Sequence, residues 1–321
     1  MHLDTLYWEI TDKCPLFCKH CYNKENKYPS RERLPLKESL RRVDVFSSQG
    51  IEILLLTGGE PLTNKNIFEI IKHSKQNGIN TAVLTSGYLI TNRIADLLAN
   101  SNPDAVQISL DGIGKIHDNI RGRGVFNNVE KAIGLLKERK VAHYLKMTLN
   151  KLNIFDVQRT IEYCHEKELQ LNFSNTIEIG AAKQINIALS PKEYFETFLK
   201  LYHEKYYEGK KLTLPDFAVE EYLKGEEVKS RCSAGRRMAV LTFDDLFLPC
   251  PFMAGIGLNS SDGFLQYSDK VFLESENDRL FNVLRKHNAR GFNCPLRKLD
   301  KGKDEYSLES FKEYCSIKNG N

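Results

Sequence analysis

Three cysteines lie close together near the start of the chain, in the run TDKCPLFCKHCYN. Cys14, Cys18 and Cys21 have the spacing C-x3-C-x2-C. A cubane [4Fe–4S] cluster takes four soft ligands, and cysteine thiolates are its usual ones. Three thiolates on one short loop can bind three corners of the cube, which leaves the fourth iron open to a small molecule. The spacing therefore predicts a reaction site and not only an electron carrier.

Two other chemistries compete for these cysteines. A structural zinc site normally has four protein ligands, and His20, which lies between Cys18 and Cys21, is expected to point away from the loop. A disulfide framework would leave one of the three thiols over, and the N-terminus lacks the basic and apolar regions of an export signal. The cluster is the favoured interpretation.

The composition is that of an ordinary globular protein. The chain has 321 residues, 41% of them hydrophobic and 27% charged, enough for one α/β domain or one domain with a satellite. A net charge of +4 without a basic tract argues against nucleic-acid binding. No apolar run has the length of a membrane span. Eight cysteines without an export signal predict a reducing, cytoplasmic location.

Strand-like and helix-like segments alternate along the first part of the chain. Six apolar runs are predicted as strands: 6–11, 51–57, 80–86, 105–111, 143–149 and 169–179. Helical periodicity separates them, most clearly at 66–76, 125–140 and 155–169. Such alternation predicts parallel strands joined by right-handed crossovers. Six units are too few for a closed eight-unit barrel, so the expected fold is α/β, a partial (β/α)6 TIM-like barrel open on one side.

The distinctive motifs all follow strands of this barrel. The cysteine loop follows the first strand, GGEP (58–61) the second, TSG (85–87) the third and SLDG (109–112) the fourth. In a parallel barrel the working loops lie at the C-terminal ends of the strands. The predicted topology therefore brings every motif to one rim.

The cysteine run followed by a strand that ends in GGEP resembles the radical S-adenosylmethionine (SAM) superfamily, from about Tyr7 to Gly180. The resemblance implies that the open iron binds the amino and carboxylate groups of SAM. It also implies reductive cleavage of SAM to a 5′-deoxyadenosyl radical, which abstracts hydrogen from an unactivated carbon. The residues expected to contact SAM are His20, Gly58, Gly59, Glu60, Pro61, Thr85, Ser86, Ser109 and Ile177.

These residues have different expected roles. The two glycines let the backbone approach SAM, and Glu60 is expected to meet its ammonium group. Pro61 suits the turn into the next helix. For Thr85 and Ser86, a contact with SAM and a cap of the next turn are equally expected. For Ile177, a contact with SAM and a place in the barrel core are equally expected.

A second group of cysteines lies in the last third of the sequence: Cys232, Cys250, Cys294 and Cys315. Residues 238–251 are predicted as a hairpin that turns near Asp244–Asp245, and residues 275–288 as an amphipathic helix. The arrangement resembles the SPASM or shorter twitch extensions of radical SAM enzymes. That resemblance implies one auxiliary [4Fe–4S] cluster, and scattered buried cysteines are the alternative.

The predicted domain organisation follows from these two groups of cysteines. A radical SAM partial barrel is expected at 1–185, bridging helices at 186–230, and a small α+β auxiliary-cluster domain at 231–321.

Several other polar residues receive no role in the chemistry. His117, Asp118 and Arg121, in KIHDNIRGRG, resemble a stretch common in SPASM proteins, and pairing of the aspartate with the arginine is expected to hold the loop. Lys146 and Glu178 are expected at strand ends, where they contact either polar groups of the substrate or water.

The expected function is that of a cytoplasmic radical SAM enzyme that modifies a ribosomally synthesised peptide by C–H abstraction. A reductant such as flavodoxin or ferredoxin would supply the electron. The peptide assignment comes from the resemblance alone. Thirteen residues precede Cys14, too few for the leader-binding domain of many peptide maturases, so a small-molecule radical SAM dehydrogenase or other biosynthetic enzyme is the alternative. A non-catalytic iron–sulfur sensor or scaffold is the alternative from another class.

Replacing Cys14, Cys18 and Cys21 with alanine is expected to remove one cluster, or about four iron atoms per chain. The unchanged protein, reconstituted without oxygen, should hold about eight iron atoms if both clusters form and about four if the later cysteines are structural. Iron analysis and electron paramagnetic resonance measure both quantities. Equal iron in the triple variant and the unchanged protein would refute the assignment.

Overall fold

A computed structural model describes residues 3–22, 34–215, 217–226, 233–256, 265–278 and 281 of the chain. Six strands run parallel to one another in the order of the sequence. They are β1 (Thr5–Glu9), β2 (Ile53–Thr57), β3 (Asn80–Thr85), β4 (Ala105–Ser109), β5 (His143–Leu149) and β6 (Leu171–Asn175). The six predicted strands are confirmed.

The sixth strand is shorter than predicted. It ends at Asn175 and not at residue 179 because the chain turns there. The amide of Thr176 donates to the carbonyl oxygen of Leu149 at the end of β5. Ile177 and Glu178, which the predicted strand included, therefore lie in the loop after β6.

Helices connect successive strands. Helices α1 to α7 are Leu36–Ser48, Ile67–Gln76, Asn92–Ser101, Lys115–Arg121, Val125–Glu138, Val157–Glu166 and Ala181–Ile185. The three helices predicted from periodicity correspond to α2, α5 and α6. Helix α2 buries Ile67, Ile70 and Ile71 and ends just before Gly78, whose φ of +74° is typical of the residue that follows a helix.

Alternating side chains give the sheet two different faces. Leu6 and Trp8 on β1 are at most 1% exposed and pack with the helices in one continuous core. Tyr7, between them, points to the opposite face, as strand geometry requires. Burial and the hydroxyl of Tyr144 on β5 raise the pKa of Tyr7 to about 12. Strands β1 and β5 are not neighbours, so the sheet curls and both tyrosines face its concave interior.

Three further strands extend the sheet. Strand β7 (Leu212–Thr213) pairs with β6, β8 (Met238–Leu241) runs parallel to β1, and β9 (Phe247–Leu248) runs antiparallel to β8. The strand order is β7-β6-β5-β4-β3-β2-β1-β8-β9. The two end strands do not pair, so the sheet is an open partial barrel, as predicted. Strands β8 and β9 also form the predicted hairpin, which turns at Asp244–Asp245 and shares the sheet of the barrel.

Two of the remaining helices precede the hairpin in the sequence, and one follows it. Helix α8 (Pro191–Tyr206) and helix α9 (Phe217–Leu223) fall in the segment predicted as bridging helices, and α10 (Val271–Asn277) follows the hairpin. Helix α10 overlaps only the start of the helix predicted at 275–288, most of which lies outside the described residues. The predicted domain boundaries stay predictions. Across the described ranges, no helix combines the length and the apolar character needed to cross a membrane.

A buried arginine joins the hairpin to the first helix. Arg42 of α1 donates from Nη1 to Oδ1 of Asp245 at 2.6 Å and from Nε to Oε1 of Glu38 at 3.3 Å. Its guanidinium lies 4.0 Å from the ring centroid of Tyr267. The side chain of Arg42 is only 6% exposed, so these contacts replace its water.

Replacing Arg42 with methionine is expected to lower the free energy of unfolding by about 2 kcal/mol, since Asp245 then loses its partner but is partly solvated. The matched control is Arg41→Met, because Arg41 pairs with Glu38 and Asp269 at the surface. That change should cost less than about 1 kcal/mol. Urea unfolding measures both values, and equal losses would contradict this account of the hairpin contact.

Candidate functional site

The three N-terminal cysteines lie in the loop after β1. Cys14 is exposed, Cys18 is buried and Cys21 is intermediate. The amide of Cys21 donates to the carbonyl oxygen of Cys18 at 3.2 Å, and that of Lys19 donates to Ile120 O at the end of α4 at 2.9 Å. The main chain of the loop is therefore fixed against a helix of the barrel.

The thiols influence one another. Burial raises the pKa of Cys14 to about 11, and Cys18, Glu60 and Cys21 act in the same direction. The three sulfurs are therefore near enough to oppose each other's ionisation. Iron binds the thiolate form, and its positive charge offsets the repulsion between the thiolates.

The arrangement fits a cluster better than a single zinc ion or a disulfide. No disulfide joins two of the described cysteines. In the described part of the chain, no three His, Cys, Asp or Glu side chains are grouped to hold one metal ion. Three thiolates on one zinc would bring their sulfurs to within about 4 Å of each other, whereas a cubane binds each cysteine to a different iron. The donor set thus suits the predicted [4Fe–4S] cluster.

The two glycines of GGEP touch the cysteine loop itself. The amide of Gly59 donates to Thr11 O at 2.8 Å, and that of Glu60 donates to Lys13 O at 2.7 Å. A Cβ on Gly58 would clash with Thr11 O, and one on Gly59 would clash with Lys13 O. These glycines are therefore required by the approach of the protein's own backbone. Their contact with SAM stays a prediction.

The buried side chain of Glu60 links the end of β2 to the end of β3 by hydrogen bonds. Its Oε1 accepts from the hydroxyl of Thr85 at 2.7 Å, and its Oε2 accepts from the amide and hydroxyl of Ser86 at 2.9 and 2.5 Å. The same hydroxyls also cap the following turn, since they accept from the amides of Gly87 and Tyr88. Pro61 begins a single 3-10 turn, which the Glu60 side chain caps.

The loop after β6 contacts the backbone of the third cysteine, Cys21. The amide of Ala181 donates to Cys21 O at 3.0 Å. Gly180 has a φ of +56°, and a Cβ there would lie 2.6 Å from Cys21 O and closer still to Tyr22 O. This contact was not predicted from the sequence, although the resemblance to the superfamily extends as far as Gly180. The first and sixth loops of the barrel therefore meet at the cysteines.

A buried ion pair lies directly behind Cys18. Arg121 donates from Nε to Oδ2 of Asp111 at 2.5 Å, and its Nη1 lies 3.9 Å from Sγ of Cys18. Burial alone would raise the pKa of Asp111, but Arg121 foremost, then His20, lowers it to about 2. Nε2 of His20 lies 3.3 Å from Nη2 of Arg121. Because arginine only donates, His20 accepts this bond in its neutral form, and burial lowers its pKa to about 4.

The expected pairing of Asp118 with Arg121 was wrong. Asp118 instead accepts from the amides of Gly124 and Phe126 at 2.7 and 2.8 Å, and so caps the start of α5. Arg121 turns inward to Asp111 because that carboxylate is wholly buried and needs a cation. His117 is also structural, since its Nδ1 accepts from the amide of Asp111.

The remaining predicted residues are spread around the barrel mouth. Ser109 is half-buried at the end of β4, and Ile177 is half-buried in the loop after β6. Cys164 is buried in the core on α6. The SAM contacts of Ser109 and Ile177 stay predictions.

One of the four later cysteines is described. Cys250 is buried beside Val240 and Leu248, after the hairpin. Burial raises the pKa of Tyr22 well above 10, with smaller contributions from Cys21 and Cys250 among others. Tyr22 thus lies near both cysteines. The other predicted auxiliary ligands, Cys232, Cys294 and Cys315, lie outside the described residues.

Comparison with known proteins gives consistent results. A family model described as the radical SAM superfamily matches residues 8–164. The Fe-coproporphyrin III synthase of Methanosarcina barkeri is 28% identical over 226 residues, which cover 67% of this chain and 56% of that protein. The sporulation killing factor maturation protein SkfB of Bacillus subtilis is 25% identical over 244 residues, which cover 75% of this chain and 58% of SkfB.

A solved structure shows the same fold over almost the whole chain. Streptococcus suis SuiB, bound to its precursor peptide SuiA, has a TM-score of 0.78 at 16% identity, over 97% of this chain and 76% of SuiB. The chain spans about half the length of the curated relatives that it matches.

Replacing Gly180 with alanine is expected to displace Cys21 and to lower the iron content of the reconstituted protein. The matched control is Gly209→Ala, because Gly209 has a similar φ of +67° but no atom within 4 Å of an added Cβ. Both changes carry the same backbone strain, of about 1 kcal/mol, and only Gly180 contacts the cysteine loop. Iron analysis and unfolding curves measured together separate the two effects. If the two variants bind equal iron, the contact does not position Cys21.

Proposed function

Residues 8–164 form a radical SAM domain, and from that premise we propose that the chain is an enzyme that reductively cleaves SAM and modifies a ribosomally synthesised peptide. Cys14, Cys18 and Cys21 would hold the [4Fe–4S] cluster. When bound, that cluster supplies the electron that splits SAM into methionine and a radical able to abstract hydrogen. A flavodoxin or ferredoxin in the cytoplasm is the proposed source of the electron.

The observation that carries this proposal is the way in which the cysteine loop is fixed. Its main chain is hydrogen-bonded on one side to the loop after β2, through Glu60 N and Lys13 O, and on the other to the loop after β6, through Ala181 N and Cys21 O. A loop anchored at both ends presents its thiols with little freedom to move. Such anchoring is what a cluster with one open iron requires, because only three side chains hold it.

The surrounding residues support the electrostatics of such a cluster. Arg121 directs its guanidinium at the sulfur of Cys18, so its positive charge offsets the negative charge of the thiolates. Asp111 holds Arg121 in place. His20 is neutral and adds no further charge.

The assignment of a peptide substrate rests on similarity. SkfB is named for the maturation of a killing factor, and SuiB is seen with its precursor peptide. The concave face of the sheet carries polar side chains, including Gln107, Tyr144 and Asn172, that suit a polar substrate. A second, auxiliary [4Fe–4S] cluster is proposed at Cys250 together with Cys232, Cys294 and Cys315.

A small-molecule substrate is the second candidate. It is favoured by the relatives named for tetrapyrrole chemistry, the Fe-coproporphyrin III synthase and an AdoMet-dependent heme synthase that is 31% identical over 161 residues. The chain covers only 46% of the latter protein, so the substrate does not follow from the match.

Anaerobic reconstitution tests the function directly. The protein with iron, sulfide, SAM and dithionite is expected to form 5′-deoxyadenosine, whereas the Cys18→Ala variant should form none. A non-catalytic sensor would give no product in either sample, and that result would end the enzymatic proposal. Adding a candidate precursor peptide, or in parallel an iron coproporphyrin, then identifies the substrate class by which of the two accelerates product formation.

A further inference from the structure

The C-terminal end of α4 lies against the cysteine loop. The amide of Lys19 in the loop donates to the carbonyl oxygen of Ile120 at 2.9 Å. The next residue, Arg121, ends the helix and directs its Nη1 toward Sγ of Cys18 at 3.9 Å. One backbone contact and one side-chain contact therefore hold the guanidinium beside this sulfur.

Two further partners fix the plane of the guanidinium. Nε of Arg121 donates to Oδ2 of Asp111 at 2.5 Å, and Nη2 donates to Nε2 of His20 at 3.3 Å. The group is planar and rigid, so contacts made by all of its nitrogens leave it a single orientation. Asp111 is itself held by the barrel, since its Oδ1 accepts from the amide of Thr148 near the end of β5 at 2.9 Å.

The charge of Arg121 acts on Cys18 through the protein and not through water. The side chain of Arg121 is only 10% exposed, and that of Asp111 is 0% exposed. Burial raises the pKa of Cys18, whereas Arg121 lowers it and outweighs Asp111, which raises it. The ion pair has no net charge, yet its nearer, positive end favours added negative charge at this sulfur.

We propose that Arg121 sets the reduction potential of the cluster that the three cysteines would hold, and that Asp111 is the positioning residue that aims it. Reduction takes one electron from the flavodoxin or ferredoxin and neither forms nor breaks a bond, so the cluster and its thiolates gain one negative charge. A guanidinium directed at a ligand sulfur stabilises that charge and makes the potential less negative. The inference rests on the proposed function, which brings the electron to this site.

A redox titration followed by electron paramagnetic resonance measures this potential. In the anaerobically reconstituted protein without SAM, Arg121→Gln is expected to shift the reduction equilibrium by about tenfold toward the oxidised cluster, a fall of about 59 mV for one electron. Arg121→Lys keeps the charge without the planar fork and should give an intermediate potential. The matched control is Arg123→Gln, which removes the same charge from an exposed residue and should leave the potential unchanged.

A double variant separates the potential from stability. Arg121→Gln alone leaves Asp111 buried without its cation, which destabilises the fold. Combining it with Asp111→Asn removes both charges and leaves two amides able to hydrogen-bond to each other. Because Arg121 outweighs Asp111 at Cys18, the potential of the double variant should also fall, by less than that of the single variant.

Unfolding curves and iron content are measured for every variant. The potential is read from the resonance signal that the Cys18→Ala variant lacks, so incomplete loading with iron does not obscure it. Equal potentials in the unchanged protein, Arg121→Gln and the double variant would overturn the inference. An equal fall in Arg123→Gln would do so too, because net charge alone would then explain the shift.

The proposed function has a separate criterion. If the potential falls as expected but the unchanged protein forms no 5′-deoxyadenosine, the proposed function fails and the role of Arg121 stands. If the unchanged protein forms the product and the potentials are equal, only the role of Arg121 fails.

Discussion

The close approach of three backbone segments around the cysteine loop is the constraint on which the rest of the site depends. Gly58 and Gly59 pack against residues 11–13, and Gly180 packs against Cys21 and Tyr22. A side chain at any of these three positions would collide with a main-chain oxygen of the loop. Backbone contacts therefore fix much of the geometry of the loop. These contacts are possible because the three neighbouring residues are glycines and have no side chain.

The buried charged side chains near this loop each have partners within the protein. A cation, Arg121, lies behind Cys18, and it is held by a carboxylate with no solvent exposure, that of Asp111. Glu60 is equally buried, yet its oxygens are satisfied by hydroxyl and amide donors from the next strand. Two buried acids thus serve different ends: one orients a charge toward the sulfur, and the other joins β2 to β3.

Periodicity and motif order were enough to predict six parallel strands, the open barrel and the shared rim. These features depend on local patterns, because the periodicity of apolar residues in a strand or a helix can be recognised from residues that are close in sequence. The pairing of Arg121 was not predictable in the same way, since Asp118 is nearer to it in sequence than Asp111 is. Only the fold shows that both carboxylate oxygens of Asp118 accept hydrogen bonds from amides at the start of α5. The contact of Gly58 and Gly59 with the cysteine loop was likewise not predictable, because a motif shows that a side chain is absent and not which atom takes its place.

The position of β8 has a consequence for how the molecule is made. Strand β1, which leads into the cysteine loop, pairs on one side with β2 and on the other with β8. A ribosome synthesises β1 before β2, and β8 only after the whole run of strands from β2 to β7. Until then one edge of β1 has no partner, and long-range pairings of this kind form slowly. The strand that precedes the cysteine loop is therefore among the last parts of the sheet to be completed.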